Sequence, residues 1–188
     1  MKNSHCSRRK GNFTVEFAIV GVFFSLLLVF SGDIIIKLSI KGKLERLSYS
    51  IVNIVKERTQ LFGEDEYSVD DTEAENAYTI TVASLKRTMS SFDESKFGFV
   101  LDAYTRSDYG TGDKIDSIVS GSGSWVHEGS NISCQSTKPD KDLIFQTSWG
   151  RSATFYQVTL CYASPNWFGS IIGGDYSKIS VRSAAVGR

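Results

Sequence analysis

The sequence predicts an α+β chain: a long N-terminal helix that is a membrane span continuing into an amphipathic half, then a second helix, then an antiparallel sheet. Three observations predict it. An apolar run from Phe13 to Phe30 passes directly into residues with helical spacing. A capped segment with the same spacing follows near Asp70. Beyond Phe97 the periodicity changes from helical to strict alternation, with Gly and Ser clusters between the alternating stretches.

The first element rests on composition. Between Phe13 and Phe30 only Thr14, Glu16, Gly21 and Ser25 interrupt the apolar side chains. Eighteen helical residues rise about 27 Å, close to the hydrocarbon thickness of a bilayer. A secretory signal peptide has a shorter apolar region and ends in small residues, and nothing of that kind follows Phe30, so the run is expected to stay attached. Lys2, Arg8, Arg9 and Lys10 precede it without any acid, which favours a cytoplasmic N-terminus. Lys37, Lys41, Lys43 and Arg46 follow it, with only Asp33 and Glu45 in opposition, so flanking charge alone leaves the orientation open.

Helical spacing then continues through Leu44, Leu47, Ile51, Ile54 and Leu61. No proline occurs before Pro139, and Gly32 and Gly42 are the weak points, so the spacing fits one long helix or two joined by a kink. Gly63 and the acids Glu64, Asp65 and Glu66 end the element. Asp70, Asp71 and Thr72 supply the next N-terminus, and Tyr78, Val82, Leu85 and Met89 give a helical face. The β-branched run Thr79 to Val82 would also suit a strand. Phe97, Phe99, Leu101 and Ala103 alternate, as do Tyr156, Val158, Leu160 and Tyr162, and then Ile179 and Val181. The chain divides into 1–11, a basic leader; 12–62, the long helix; and 63–188, an α+β domain.

Charge and cysteine content narrow the function. The 21 basic and 21 acidic side chains balance, which points to no nucleic acid. Without the four cations of the leader, 17 basic side chains face 21 acidic ones. Cys6 lies in the leader, which leaves Cys134 and Cys161 as a pair. In an oxidising compartment they are expected to close a loop of about 28 residues, worth about 3.5 kcal/mol in the chain-entropy model. That pair tips the orientation toward an exported C-terminus. His127, Cys134 and Cys161 lack the close spacing and the fourth ligand of a zinc motif. Ser120 to Ser124 lacks the Gly-Lys-Ser/Thr ending of a phosphate loop. His127 is read as a surface residue beside Trp125. Trp125, Trp149, Phe155, Tyr156, Trp167 and Phe168 are read chiefly as packing, with an exposed subset open to a partner. No nucleophile–base arrangement, metal or cofactor is indicated.

The segment Arg8-Arg9-Lys10-Gly11-Asn12-Phe13-Thr14-Val15-Glu16-Phe17 carries the functional reading. An acid inside an apolar span costs up to about 3 kcal/mol at the membrane centre and less near the end, so Glu16 needs a reason. Cleavage after Gly11 would make Asn12 the first residue, and its amine, with an ordinary pKa near 8, would be largely cationic. Among parallel helices that amine can pair with Glu16 of a neighbour and set axial register.

A basic leader ending in Gly, followed by four residues, Glu and an apolar helix, resembles the prepilin-peptidase site of type IV pilins and pseudopilins. Gly11 and Asn12 match the cleaved pair, and Glu16 the fifth-position glutamate. Asn12 departs from the Phe usual there in the major pilins and type II secretion pseudopilins. Glu16-Phe17 is similar to the TadE/TadF pseudopilins of tight-adherence (Flp) pili, and the length, the cysteine pair and Leu160-Cys161-Tyr162 suit TadF. The resemblance implies a minor pilus component rather than an enzyme. Its expected partners are a prepilin peptidase, other pilin or pseudopilin subunits and an inner-membrane assembly platform. The alternatives are an uncleaved, signal-anchored exported binding domain, or a minor pseudopilin of a type II secretion system.

Overall fold

A computed structural model describes residues 12–57, 68–107, 114–119, 123–146, 148, 150 and 152–187. Residues 1–11, including Arg8, Arg9, Lys10 and Gly11, lie outside the described residues, as do Leu61, Gly63 to Glu66, Ser120 to Ser122 and Trp149. The elements are α1 (Asn12–Lys56), α2 (Asp71–Thr88), β1 (Phe97–Ser107), β2 (Lys114–Ser117), β3 (Trp125–Glu128), β4 (Phe155–Ala163), α3 (Trp167–Ile172) and β5 (Lys178–Val186).

Helix α1 is one continuous helix of 45 residues, so a single helix forms rather than two. A Cβ placed on Gly21, Gly32 or Gly42 would meet nothing within 4 Å, so these glycines serve no close approach. Ile40, Leu44, Ser48, Ile51, Val52 and Val55 form the buried face of its second half. The expected face is corrected at one point, Ile54, while Leu47 packs against the core from its edge. Ile54 is 45% exposed, because the contact stripe runs through Ser48 as well as Leu44 and Ile51. A hydrophobic-only reading passes over that serine, whose Oγ lies 2.7 Å from Ser183 Oγ on β5.

Helix α2 begins at a capping box: the Asp70 side chain accepts from the first turn, and the Glu73 carboxylate accepts from the Asp70 N–H at 3.3 Å. That local chemistry favours helix over the strand that Thr79 to Val82 would tolerate. Ala74, Ala77, Tyr78, Thr81, Val82 and Leu85 are buried, and Thr81 returns its hydroxyl to Ala77 O at 2.6 Å.

The sheet is antiparallel throughout, in the order β2-β1-β4-β5, with β3 also paired to β1. The side chains that alternate in the sequence share one face: Phe97, Phe99, Leu101 and Ala103 with Tyr156, Val158, Leu160 and Tyr162, then Ile179 and Val181. They meet α1 and α2 to form the main core. Central strand β4 is buried from Phe155 to Tyr162 on both faces.

Its second face is closed by an irregular segment. The Cys134–Cys161 disulfide pins that segment to β4, with Cα atoms 5.6 Å apart. Gly98 of β1 pairs with Cys161, and a Cβ there would come within 2.6 Å of Cys134 Cβ, so the cross-link passes where only glycine leaves room. Farther along the same face Asp102 is fully buried and accepts from Gln157 Nε2 at 3.3 Å, while Gln157 Nε2 also donates to Thr137 O at 3.0 Å.

Candidate functional site

The candidate functional region is α1 itself, because the core takes only its second half. Every residue from Phe13 to Leu28 is exposed, Phe13 at 77%, Phe17 at 70% and Leu28 at 74%. The helix is long and apolar enough to cross a membrane. Burial separates it from the central helix of a soluble protein, since only 6% of its most apolar stretch is covered by the rest of the chain. Asn12 opens the helix. Glu16 lies one turn later, exposed, with Phe17 beside it in sequence and the Phe13 and Phe17 rings stacked at 6.4 Å. The structure therefore puts Asn12, Glu16 and Phe17 on the first turns of a projecting helix. Gly11, Arg8, Arg9 and Lys10 are outside the described residues.

A collar of contacts fixes this projecting half to the domain. At its end, Phe30 packs edge-on against Phe168 of α3, with centroids 4.8 Å apart. Asp33, only 5% exposed, pairs with Lys37 Nζ at 2.5 Å and accepts from the Trp167 backbone N–H at 3.3 Å. Farther along α1, Lys43 Nζ donates to Thr88 O at 3.1 Å, a cation on the C-terminus of α2. Ser48 and Ser183 close the series.

Sequence reasoning noticed Asp33 only as a stray charge after the span. A buried acid four residues before a lysine is a recognisable helical pair, and its tie to α3 is what the sequence could not display.

The remaining candidates fall where their chemistry places them. Cys134 and Cys161 are joined, which leaves neither thiol for a metal. Among the described residues no cluster of His, Cys, Asp and Glu could hold a metal ion. His127 is an exposed residue of β3 lying over Tyr78 at 4.1 Å and parallel to Trp125 at 6.2 Å. Tyr78 Oη donates to Glu94 at 2.9 Å, and Lys86 Nζ donates to the other carboxylate oxygen at 2.9 Å. Burial first, and then Glu94, push the Tyr78 hydroxyl up to about 12. The cation of Lys86 and the Tyr78 hydroxyl hold Glu94 below the ordinary carboxylate range. This is a structural clamp between α2 and the start of β1. Phe155 and Tyr156 are core residues, Trp125 is half-buried against Phe99, and Trp167 is 55% exposed, so the aromatic set divides into packing and a surface remainder.

The family model described as "Putative tight adherence pilin protein F" (TadF) matches residues 5–188, nearly the whole chain. Neither a curated protein nor a solved structure matches it significantly. The chain therefore belongs to the TadF family, pilin-like proteins of the tight-adherence pilus system.

Proposed function

We propose that the chain is a minor pseudopilin of a tight-adherence (Flp-type) adhesive pilus, matured by removal of residues 1–11 between Gly11 and Asn12. The observation that carries this reading is the unbroken exposure of Phe13 to Leu28 on a helix whose other half is locked into a folded domain. An apolar surface of that extent is unstable in water, at roughly 25 cal/mol per Å². It takes its solvent from lipid before assembly and from neighbouring helices within an assembly. Residues 63–188 are the exported part. Arg8, Arg9 and Lys10 hold the leader on the cytoplasmic side, where a prepilin peptidase acts. A disulfide between Cys134 and Cys161 fits an oxidising compartment across the membrane.

Assembly follows from the first turn. Once cleaved, Asn12 carries a cationic amine, and Glu16 of an adjacent parallel helix lies one turn along. In a low-dielectric bundle neither charge is stable alone, so the pair selects the axial stagger of subunits and of the platform that receives them. No catalytic step is assigned to the chain.

Two variants in cells carrying the whole system test this. Gly11→Val is expected to keep the leader, seen as a larger mass, and to be absent from sheared pili or from cross-linked subunit complexes. Glu16→Ala is expected to be processed normally but to fall about tenfold or more in those complexes, a loss of about 1.4 kcal/mol per decade. Wild-type assembly of Glu16→Ala rejects the register contact. Normal function of an uncleaved Gly11→Val chain favours the anchored binding domain instead.

A further inference from the structure

The connection between β4 and β5 carries chemistry that the pilin reading leaves unused. Within ten residues it exposes Trp167, Ile171, Ile172 and Tyr176, at 55, 56, 55 and 59%. The loop is held in shape by its own side chains. Asn166 Nδ2 donates to Gly174 O at 2.8 Å, and Asn166 Oδ1 accepts from the Tyr176 N–H at 3.4 Å. Gly173 ends α3 in the left-handed region at φ 76°. A Cβ on Gly169 would lie 2.1 Å from Asn166 Oδ1. The apolar side chains therefore face outward on a braced turn, and collapse onto the domain is not open to them.

Position identifies what covers them. Phe168 packs on Phe30, the last residue of the apolar run, and the Trp167 N–H is bonded to Asp33 one turn farther on. With the 18 residues Phe13–Phe30 filling the hydrocarbon, about 27 Å of helix, this loop falls at the outer membrane–water boundary. Trp and Tyr rings partition to that depth, where an apolar body and a polar edge are both satisfied. The loop's one acid, Asp175, is exposed with Lys37 nearby, and Lys43 and Lys96 line the adjoining groove of about 590 Å³ beside Trp167.

We propose that residues 167–176 are a second membrane contact, in which Trp167, Ile171, Ile172 and Tyr176 enter the headgroup layer of the leaflet from which α1 emerges. The contact fixes the height and tilt of the domain over the bilayer before assembly. It rests on the reading of Phe13–Phe30 as a span.

The test uses the full chain in phosphatidylcholine–phosphatidylglycerol vesicles, with Trp125→Phe and Trp149→Phe so that Trp167 is the sole tryptophan; a reduced-versus-non-reduced mobility shift confirms the folded, disulfide-bonded state. Lipids brominated near the carbonyl end of the chain are expected to remove about half of its emission, more than lipids brominated near the chain terminus, as for an interfacial ring. Ile171→Asp with Ile172→Asp is expected to reverse most of that loss. A control carrying Phe24→Trp and Trp167→Phe reports the span and should be quenched most by deep bromines. If the control is quenched and Trp167 is not, the loop does not touch lipid and its apolar face belongs to a protein neighbour. If neither is quenched, the span reading fails and the proposal with it.

Discussion

The two halves of α1 share one backbone and answer to different solvents. From Phe13 to Leu28 every residue is exposed, and apolar side chains surround the axis. From Ile40 to Lys56 burial is confined to Ile40, Leu44, Ser48, Ile51, Val52 and Val55, a stripe that faces the sheet. Nothing in helix geometry separates the halves. What differs is where the covering surface comes from: the same chain for the second half, an external medium for the first. Domain stability should therefore depend on residues of the second half and be nearly blind to those of the first.

Paired substitutions can break that comparison. Leu44 is fully buried and Leu28 is 74% exposed. Leu44→Ala is expected to destabilise the domain by about 3 kcal/mol, and Leu28→Ala by less than about 0.5 kcal/mol, read by denaturant unfolding of detergent-solubilised protein. Equal effects would mean that the first half packs on the domain after all. The serines sharpen the contrast. Ser48→Ala leaves the Ser183 hydroxyl without its partner in α1 and should cost about 1–2 kcal/mol by the same assay. Ser25 bonds only back to Val22 O within the exposed half, and Ser25→Ala should be close to neutral.

A smaller effect belongs to the domain alone. Glu94 has its folded pKa held below the ordinary 4.5, chiefly by Lys86 and then by Tyr78. A depressed carboxylate contributes stability that is complete above its unfolded value and lost as pH falls through the folded one. Tyr78, raised to about 12, contributes stability that is complete below 10 and lost as pH rises toward 12. Glu94→Gln should flatten the acid limb of the stability profile by less than about 1 kcal/mol, since the Lys86 pair is largely exposed. Wild-type and variant unfolding midpoints between pH 3 and pH 7 check this; parallel profiles over that range would remove Glu94 from the account.

Much of the fold could be read from the residues because its elements are strongly periodic. The apolar run and the alternation of β1 and β4 each force one local answer, whereas the absence of proline before Pro139 left one helix and two joined by a kink both open. The N-cap signal at Asp70 to Thr72 marked the start of α2 ahead of a β-branched stretch, and the structure adds the reciprocal Glu73 contact. Features that depend on contact between distant segments stayed hidden. Ser48 belongs to a buried face only because Ser183 lies opposite. Helix α3 is too short for periodicity to show and sits in a stretch that reads as a glycine-rich turn. Asp102 and Gln157 occupy the sheet face that alternation assigns to water, yet the disulfide-pinned segment covers them. Gly98 gave no signal until the cross-link passed beside it. Of the functional region, Glu16 and Phe17 stood out as an acid and an aromatic in the first turns of the apolar helix. The collar at Asp33 and Trp167 did not, because half of it lies 134 residues away.

The proposal for α1 depends on which residue begins the mature chain. N-terminal sequencing of the protein extracted from the membranes of cells with an intact tight-adherence system measures this directly. The account predicts a single sequence starting Asn-Phe-Thr-Val-Glu, with Asn12 first and Glu16 fifth. A mature protein that retains residues 1–11, or begins at any other position, contradicts it.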